Sequence, residues 1–176
     1  MDGSPIRIGL ISDTHIPTVA KQIPEQVEKA FQGVDLILHA GDIQVARALD
    51  WLESIAPVYA ALGNNDEGMD DPRVKPVQIL QLQGLTIAMV HIFTYPELPL
   101  DYFFKRHTQE KVDVVVYGDT HVPEVVREPG LLMVNPGSPT CPGPNMYIGL
   151  GHVGILEISD GTAEASILSL SELPPL

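Results

Sequence analysis

The apolar positions of this chain fall into short runs that stop abruptly at polar residues. Ile6 to Ile11 is such a run, closed by Ser12 and Asp13, and it predicts a buried strand. Pro24 followed by Glu25 to Phe31, with Gly33 beyond, has the composition of a short helix: proline and acids early, glycine after the end. Leu36 to His39 is a second apolar strand, ending in Ala40, Gly41 and Asp42. Val45, Leu49, Leu52 and Ile55, with Ala48 beside them, recur at helical spacing and predict an amphipathic helix. Val58 to Leu62 is a third strand, followed by Gly63, Asn64, Asn65 and Asp66. The resulting β-α-β-α-β order is that of a parallel sheet with crossover helices.

The pattern then changes. Asp66 to Pro76 is polar and reads as a loop, and Val77 to Leu82 with Leu85 to His91 form a predicted hairpin around Gln83 and Gly84. A helix is expected near Asp101 to Thr108, and Val112 to Tyr117 is a β-branched run ending in Gly118, Asp119, Thr120 and His121. Val125 to Arg127, Leu131 to Val134, Val153 to Ile158 and Ala163 to Leu170 are further strands, with Asp160-Gly161 as the turn of the last hairpin. Pro136 to Gly151 is a Gly/Pro-rich loop with no sign of a packed core. The expected fold is α/β, two packed mixed β-sheets flanked by helices in a four-layer α/β/β/α sandwich, as one domain over residues 1–176.

Composition narrows the chemistry. No apolar run approaches the roughly 20 residues of a membrane span, and the N-terminus lacks the marks of a signal peptide, so the expected location is cytoplasmic. The one cysteine, Cys141, allows neither an internal disulfide nor a thiolate cluster and reads as an incidental loop residue. Ten basic against 23 acidic residues leave a formal charge of −13. That charge disfavours broad nucleic-acid binding. It repels phosphate esters too, so a phosphate-handling protein of this composition needs local positive charge, which bound divalent cations supply.

Asp13 with His15, Asp42, Asn64, His91, and Asp119 with His121 each follow the carboxyl end of a predicted strand, where ligands bind in open α/β sheets. Gly41, Gly63 and Gly118 precede three of these groups, as tight turns beside a crowded site require. Taken singly, such an Asp is more often a turn former or helix cap, and such a His a satisfied polar contact. Five segments carrying the same feature point to one site. Carboxylate, imidazole and amide donors suit Mn²⁺, Fe, Zn²⁺ or Ni²⁺ better than Ca²⁺. They are too many for one tetrahedral ion, and a pair of cations sharing a bridging carboxylate would use them all.

Ser12-Asp13-Thr14-His15, Gly41-Asp42, Gly63-Asn64-Asn65-Asp66, His91 and Gly118-Asp119-Thr120-His121 resemble the successive motifs of the calcineurin-like metallophosphoesterase superfamily. Asn135-Pro136-Gly137-Ser138, the chain length and the motif order resemble its small prokaryotic phosphodiesterase branch, over about Ile6 to Ile158. The resemblance implies a phosphoesterase, with diesters favoured, that attacks a small phosphate ester with hydroxide held between two divalent ions, Mn first and Ni, Zn, Fe or Mg as alternatives. It places Asp13, His15 and His121 on the first metal, Asp42 between the two, and Asn64, His91 and Asp119 on the second. His39 would be either a group orienting the cluster or a buried structural histidine.

Three departures stand out. Asp119 replaces the usual His, so the second site should favour Mn²⁺ or Mg²⁺ or fill only at higher metal concentration. Asn65 stands where many members carry a leaving-group His, which leaves Asp66, water or the metals to assist, with Asn64 and Asn65 beside the reaction. Ile92 follows His91 where Gly is common, and Cys141-Pro142-Gly143 stands where the branch often has Arg, weakening the phosphate clamp. The superfamily also includes a retromer subunit that serves as a protein-interaction scaffold with a degraded metal site, which is the alternative function. Phe93 and Tyr95 would line a substrate pocket, a subunit interface of a homo-oligomer, or simply the core.

Overall fold

The computed structural model describes residues 4–145 and 147–174. Among the described residues eleven strands form two sheets: β1 (Ile6–Ile11), β2 (Leu36–His39), β3 (Val58–Ala61), β4 (Val74–Lys75), β5 (Gln78–Leu82), β6 (Leu85–Met89), β7 (Val114–Val116), β8 (Glu124–Glu128), β9 (Leu131–Asn135), β10 (His152–Ser159) and β11 (Thr162–Ser169). The first sheet has the order β11-β10-β1-β2-β3-β4 and the second β5-β6-β7-β9-β8. In the first, β1, β2, β3 and β4 run parallel while β10 and β11 are antiparallel additions. In the second, β6, β7 and β9 are parallel and β5 and β8 close the edges antiparallel.

Alternation along each strand builds the layers. Ile8 and Leu10 of β1, Leu38 of β2, Ile87 and Met89 of β6, Val114 and Val116 of β7 and Val134 of β9 meet between the sheets in a core without solvent access. Ile11 and Ile37 face the other way, against Val27 and Phe31 by α1 (Gln26–Ala30) and Leu49 and Leu52 of α2 (Ala46–Glu53). Ala88, Val115 and Met133 form the outer face of the second sheet and pack on Phe104 of α3 (Leu100–Phe104). The expected four layers are present. Among the described residues no helix is long and apolar enough to cross a membrane.

Two loops differ from expectation. The 66–76 segment contains β4, because Asp71 and Arg73 lock together (Arg73 Nε to Asp71 Oδ1, 2.8 Å) and Gln78 Nε2 donates to the carbonyls of Ala60 and Arg73, both at 2.8 Å. The 136–151 loop is packed in its first half, with 136–141 buried. There Ser138 Oγ donates to the Asp13 carbonyl (2.7 Å) and Thr140 Oγ1 to that of Thr14 (3.0 Å), pinning the loop beneath the first motif.

Candidate metal centre

The parallel strands β1, β2, β3, β6 and β7 all end at one rim, and the chain turns there through left-handed backbone. Asp13 (φ 54°), His15 (45°), Asp42 (60°), Asp119 (70°) and His121 (59°) hold positive φ, which a side chain bearing Cβ adopts only when its surroundings impose it. The glycines packed against these turns have no room for a side chain. A Cβ on Gly63 would lie 2.2 Å from the Asp42 backbone nitrogen, and one on Gly118 would lie 2.7 Å from Asp13 Oδ2.

These turns bring the expected ligand atoms together. Asp42 divides its carboxylate: Oδ2 lies 3.5 Å from His15 Nε2, and Oδ1 lies 3.4 Å from His91 Nε2. His15 and His121 bring their Nε2 atoms within 3.2 Å of each other. Around His91 Nε2 stand Asn64 Oδ1 at 3.0 Å, Asp119 Oδ1 at 3.9 Å and Asp13 Oδ1 at 4.0 Å. All seven residues predicted to bind metal therefore converge, Asp119 from the open side with its side chain 44% exposed.

Their surroundings fit a cation. Asp13 Oδ1 is buried without a hydrogen-bond donor, yet it lies 3.4 Å from His121 Nε2 and 4.0 Å from His15 Nε2. A buried carboxylate oxygen left unpaired is costly, and a divalent ion satisfies it. His91 Nδ1 donates to the Ala40 carbonyl and His121 Nδ1 to the Cys141 carbonyl, both at 2.8 Å. Each bond leaves Nε2 as the ligand atom. Without a cation, protons take that place. Burial pulls His91 and His121 down, but Asp42 and Asp13 beside His91, and Cys141 and Asp13 beside His121, outweigh it and lift both to about 9. Burial raises Asp13 to about 6, while burial of Asp42 is outweighed by its bonds to His91 and Asn65, which hold it well below the usual range.

His39 is buried and held neutral by that burial, its pKa lowered to about 3. Its Nδ1 accepts from Gly41 N (3.2 Å) and its Nε2 lies 3.0 Å from Thr14 Oγ1, so it joins the first and second motif turns. Two expectations are corrected here. Asp66 is given no leaving-group role by its contacts: its oxygens accept backbone N–H bonds from Asp42 (3.0 Å), Ile43 (2.7 Å), Gln44 (2.6 Å) and Gly63 (2.8 Å). It fixes the second and third turns to each other. Cys141 is not incidental, because its carbonyl orients His121. Its sulfur, 3.3 Å from His121 Nδ1, stands at the ring edge opposite the one His121 turns to Asp13, so a His15–His121–Cys141 site would compete with the geometry just described. Asn65 is turned toward the cluster, and both oxygens of Asp42 accept from it, Oδ1 from its backbone N–H (2.9 Å) and Oδ2 from its side chain (2.6 Å).

Residues 6–161 match the family model of the calcineurin-like phosphoesterase superfamily domain. The chain belongs to that superfamily. A probable metallophosphoesterase of Methanothermobacter thermautotrophicus is 38% identical over 137 residues, 77% of this chain and 78% of that protein. Among solved structures, a vacuolar protein sorting 29 protein from Cryptosporidium parvum superposes with TM-score 0.74 at 19% identity, covering 93% of this chain and 97% of that one. A structure described as a novel archaeal phosphodiesterase gives TM-score 0.64 at 23% identity, covering 93% of this chain and 100% of that one. At these identities the two structures establish the fold, and the metallophosphoesterase assignment rests on the family match and the curated relative.

Proposed function

We propose that this metallophosphoesterase is a two-metal phosphodiesterase acting on a small phosphate ester. The carrying observation is the undonated, buried Asp13 Oδ1 set among three imidazole Nε2 atoms, beside an Asp42 carboxylate shared between His15 and His91. Asp13, His15 and His121 would hold one cation and Asn64, His91 and Asp119 the other, with Asp42 common to both. Divalent cations there supply a lowered water pKa and neutralise charge growing on the phosphoryl oxygens. The chain's own part is placement: the Ala40 and Cys141 carbonyls select the imidazole tautomers, and Asn65 aims the Asp42 carboxylate. The oxygen-rich donor set around His91 favours Mn²⁺. Diester preference draws support from the likeness to the archaeal phosphodiesterase.

A scaffold role is the second reading, favoured by the likeness to the vacuolar sorting protein and by the exposed Ile92, Val122 and Ile148 in the ligand-bearing segments and the adjacent loop. Retention of every ligand position other than the His that Asp119 replaces supports the enzyme. Hydrolysis of an activated aryl phosphodiester is measured in Mn²⁺, Ni²⁺, Zn²⁺ and Mg²⁺, with a chelator control. Metal-dependent turnover is expected, and its absence under every cation would select the scaffold.

A further inference from the structure

His15 differs from the other two imidazoles of the cluster in what holds its ring. His91 and His121 each give Nδ1–H to a backbone carbonyl, a group every residue type supplies. His15 Nδ1 instead lies 3.3 Å from Nε2 of the Gln44 side chain. Among the described residues no other group makes a hydrogen bond to that nitrogen. Gln44 stands two residues beyond Asp42, in left-handed backbone (φ 72°), with its own N–H bound to Asp66 Oδ1 at 2.6 Å. The His15 N–H donates in turn to the Asp42 carbonyl at 3.0 Å, so the two turns meet and set the amide against the ring.

A neutral imidazole that ligates through Nε2 carries its proton on Nδ1 and needs an acceptor there. The amide nitrogen of Gln44 is a donor and cannot serve. The oxygen at the other end of the same planar group can, and a half-turn of the amide exchanges the two. Thr18 accommodates either arrangement. Its Oγ1 donates to Gln44 Oε1 as the amide now stands. After the half-turn it accepts from Nε2 and gives its own proton to the His15 carbonyl, 3.4 Å away. The exposed Thr18 backbone N–H, which reaches Oε1 at 3.4 Å, exchanges that long contact for water.

We infer that Gln44 is the positioning residue for His15: its amide turns its oxygen to Nδ1 and holds the ring with Nε2 aimed at the first cation. The inference rests on the two-metal reading and gives that reading's first site a side-chain support. The test compares wild type, Gln44→Met and Gln44→Glu by calorimetric titration with Mn²⁺. Met keeps the length and loses the acceptor, while Glu offers an acceptor in either orientation. Gln44→Met is expected to bind one of two equivalents roughly tenfold more weakly, the low end for loss of a metal ligand's outer partner. Gln44→Glu is expected to bind it at least as tightly as wild type. Proton–nitrogen spectra of the imidazoles in the Zn²⁺-loaded proteins should show a slowly exchanging His15 Nδ1–H in wild type and Gln44→Glu only. Unchanged affinity in Gln44→Met, equal losses in both variants, or a wild-type spectrum without that proton overturns the role of Gln44 alone. Failure of the wild type to bind Mn²⁺ overturns the two-metal reading and this inference with it.

Discussion

Replacing Asn65 by Ala removes one hydrogen bond and leaves its neighbour. The side-chain N–H that reaches Asp42 Oδ2 at 2.6 Å is lost, while the backbone N–H to Oδ1 at 2.9 Å survives. A hydrogen bond to a charged group contributes about 1.5–3 kcal/mol, and the low end applies because Asn65 is exposed and water partly replaces it. About 1.5 kcal/mol corresponds to roughly a tenfold loss, within the range seen when an outer partner of a metal ligand is removed. Mn²⁺ affinity measured by calorimetry should fall by about that factor, and turnover at limiting metal should fall with it. The metal-free melting temperature should fall by only a few degrees, since among the described residues the side chain's one hydrogen bond is to Asp42. Unchanged Mn²⁺ affinity would refute the reasoning, as would a large drop in metal-free stability.

Three further outcomes follow from the same geometry. His91 and His121, lifted to about 9 by their carboxylate neighbours, stabilise the metal-free fold fully below the ordinary histidine range and lose that contribution as pH rises through about 9. Asp13, raised to about 6, costs stability as pH rises toward 6, while His39, lowered to about 3, and His15, also lowered, return it as pH rises to the ordinary histidine value, so metal-free melting temperatures should decline between about pH 7 and 10. Mn²⁺ affinity should climb over that range, and binding at neutral pH should release protons, read by calorimetry in buffers of different ionisation enthalpy. Asp66→Ala strands four backbone N–H donors and should cost about 3 kcal/mol or more, a melting-temperature loss on the order of 10 °C, with or without metal. With Asp66 and Asn65 committed to hydrogen bonds, kcat/KM should fall steeply as the leaving-group alcohol's pKa rises, and a flat dependence across aryl and alkyl diesters would contradict this.

Strands buried on both faces were legible because they read as unbroken apolar runs, and β1 and β2 match their predicted limits. β4 was not, since Val74 and Lys75 are held beside β3 by contacts from distant parts of the chain, Arg73 to Asp50 and Glu53 and Gln78 to the Ala60 carbonyl. The seven candidate ligands were legible because each follows a strand end, a local signal repeated. What holds them was not. Asp66 reads as one more loop acid until its four backbone donors are seen, and Cys141 serves through a carbonyl that every residue type possesses. Asn65 was singled out by its position, but its orientation toward Asp42 comes from the third turn.

The central claim is that Asp42 is shared by two cations. The most direct test is metal content of the purified chain and of Asp42→Ala after saturation with Mn²⁺ and removal of unbound ion. About two equivalents are expected in the wild type, with the variant losing both tight binding and turnover of an aryl phosphodiester. Full metal content and undiminished turnover in Asp42→Ala would contradict it.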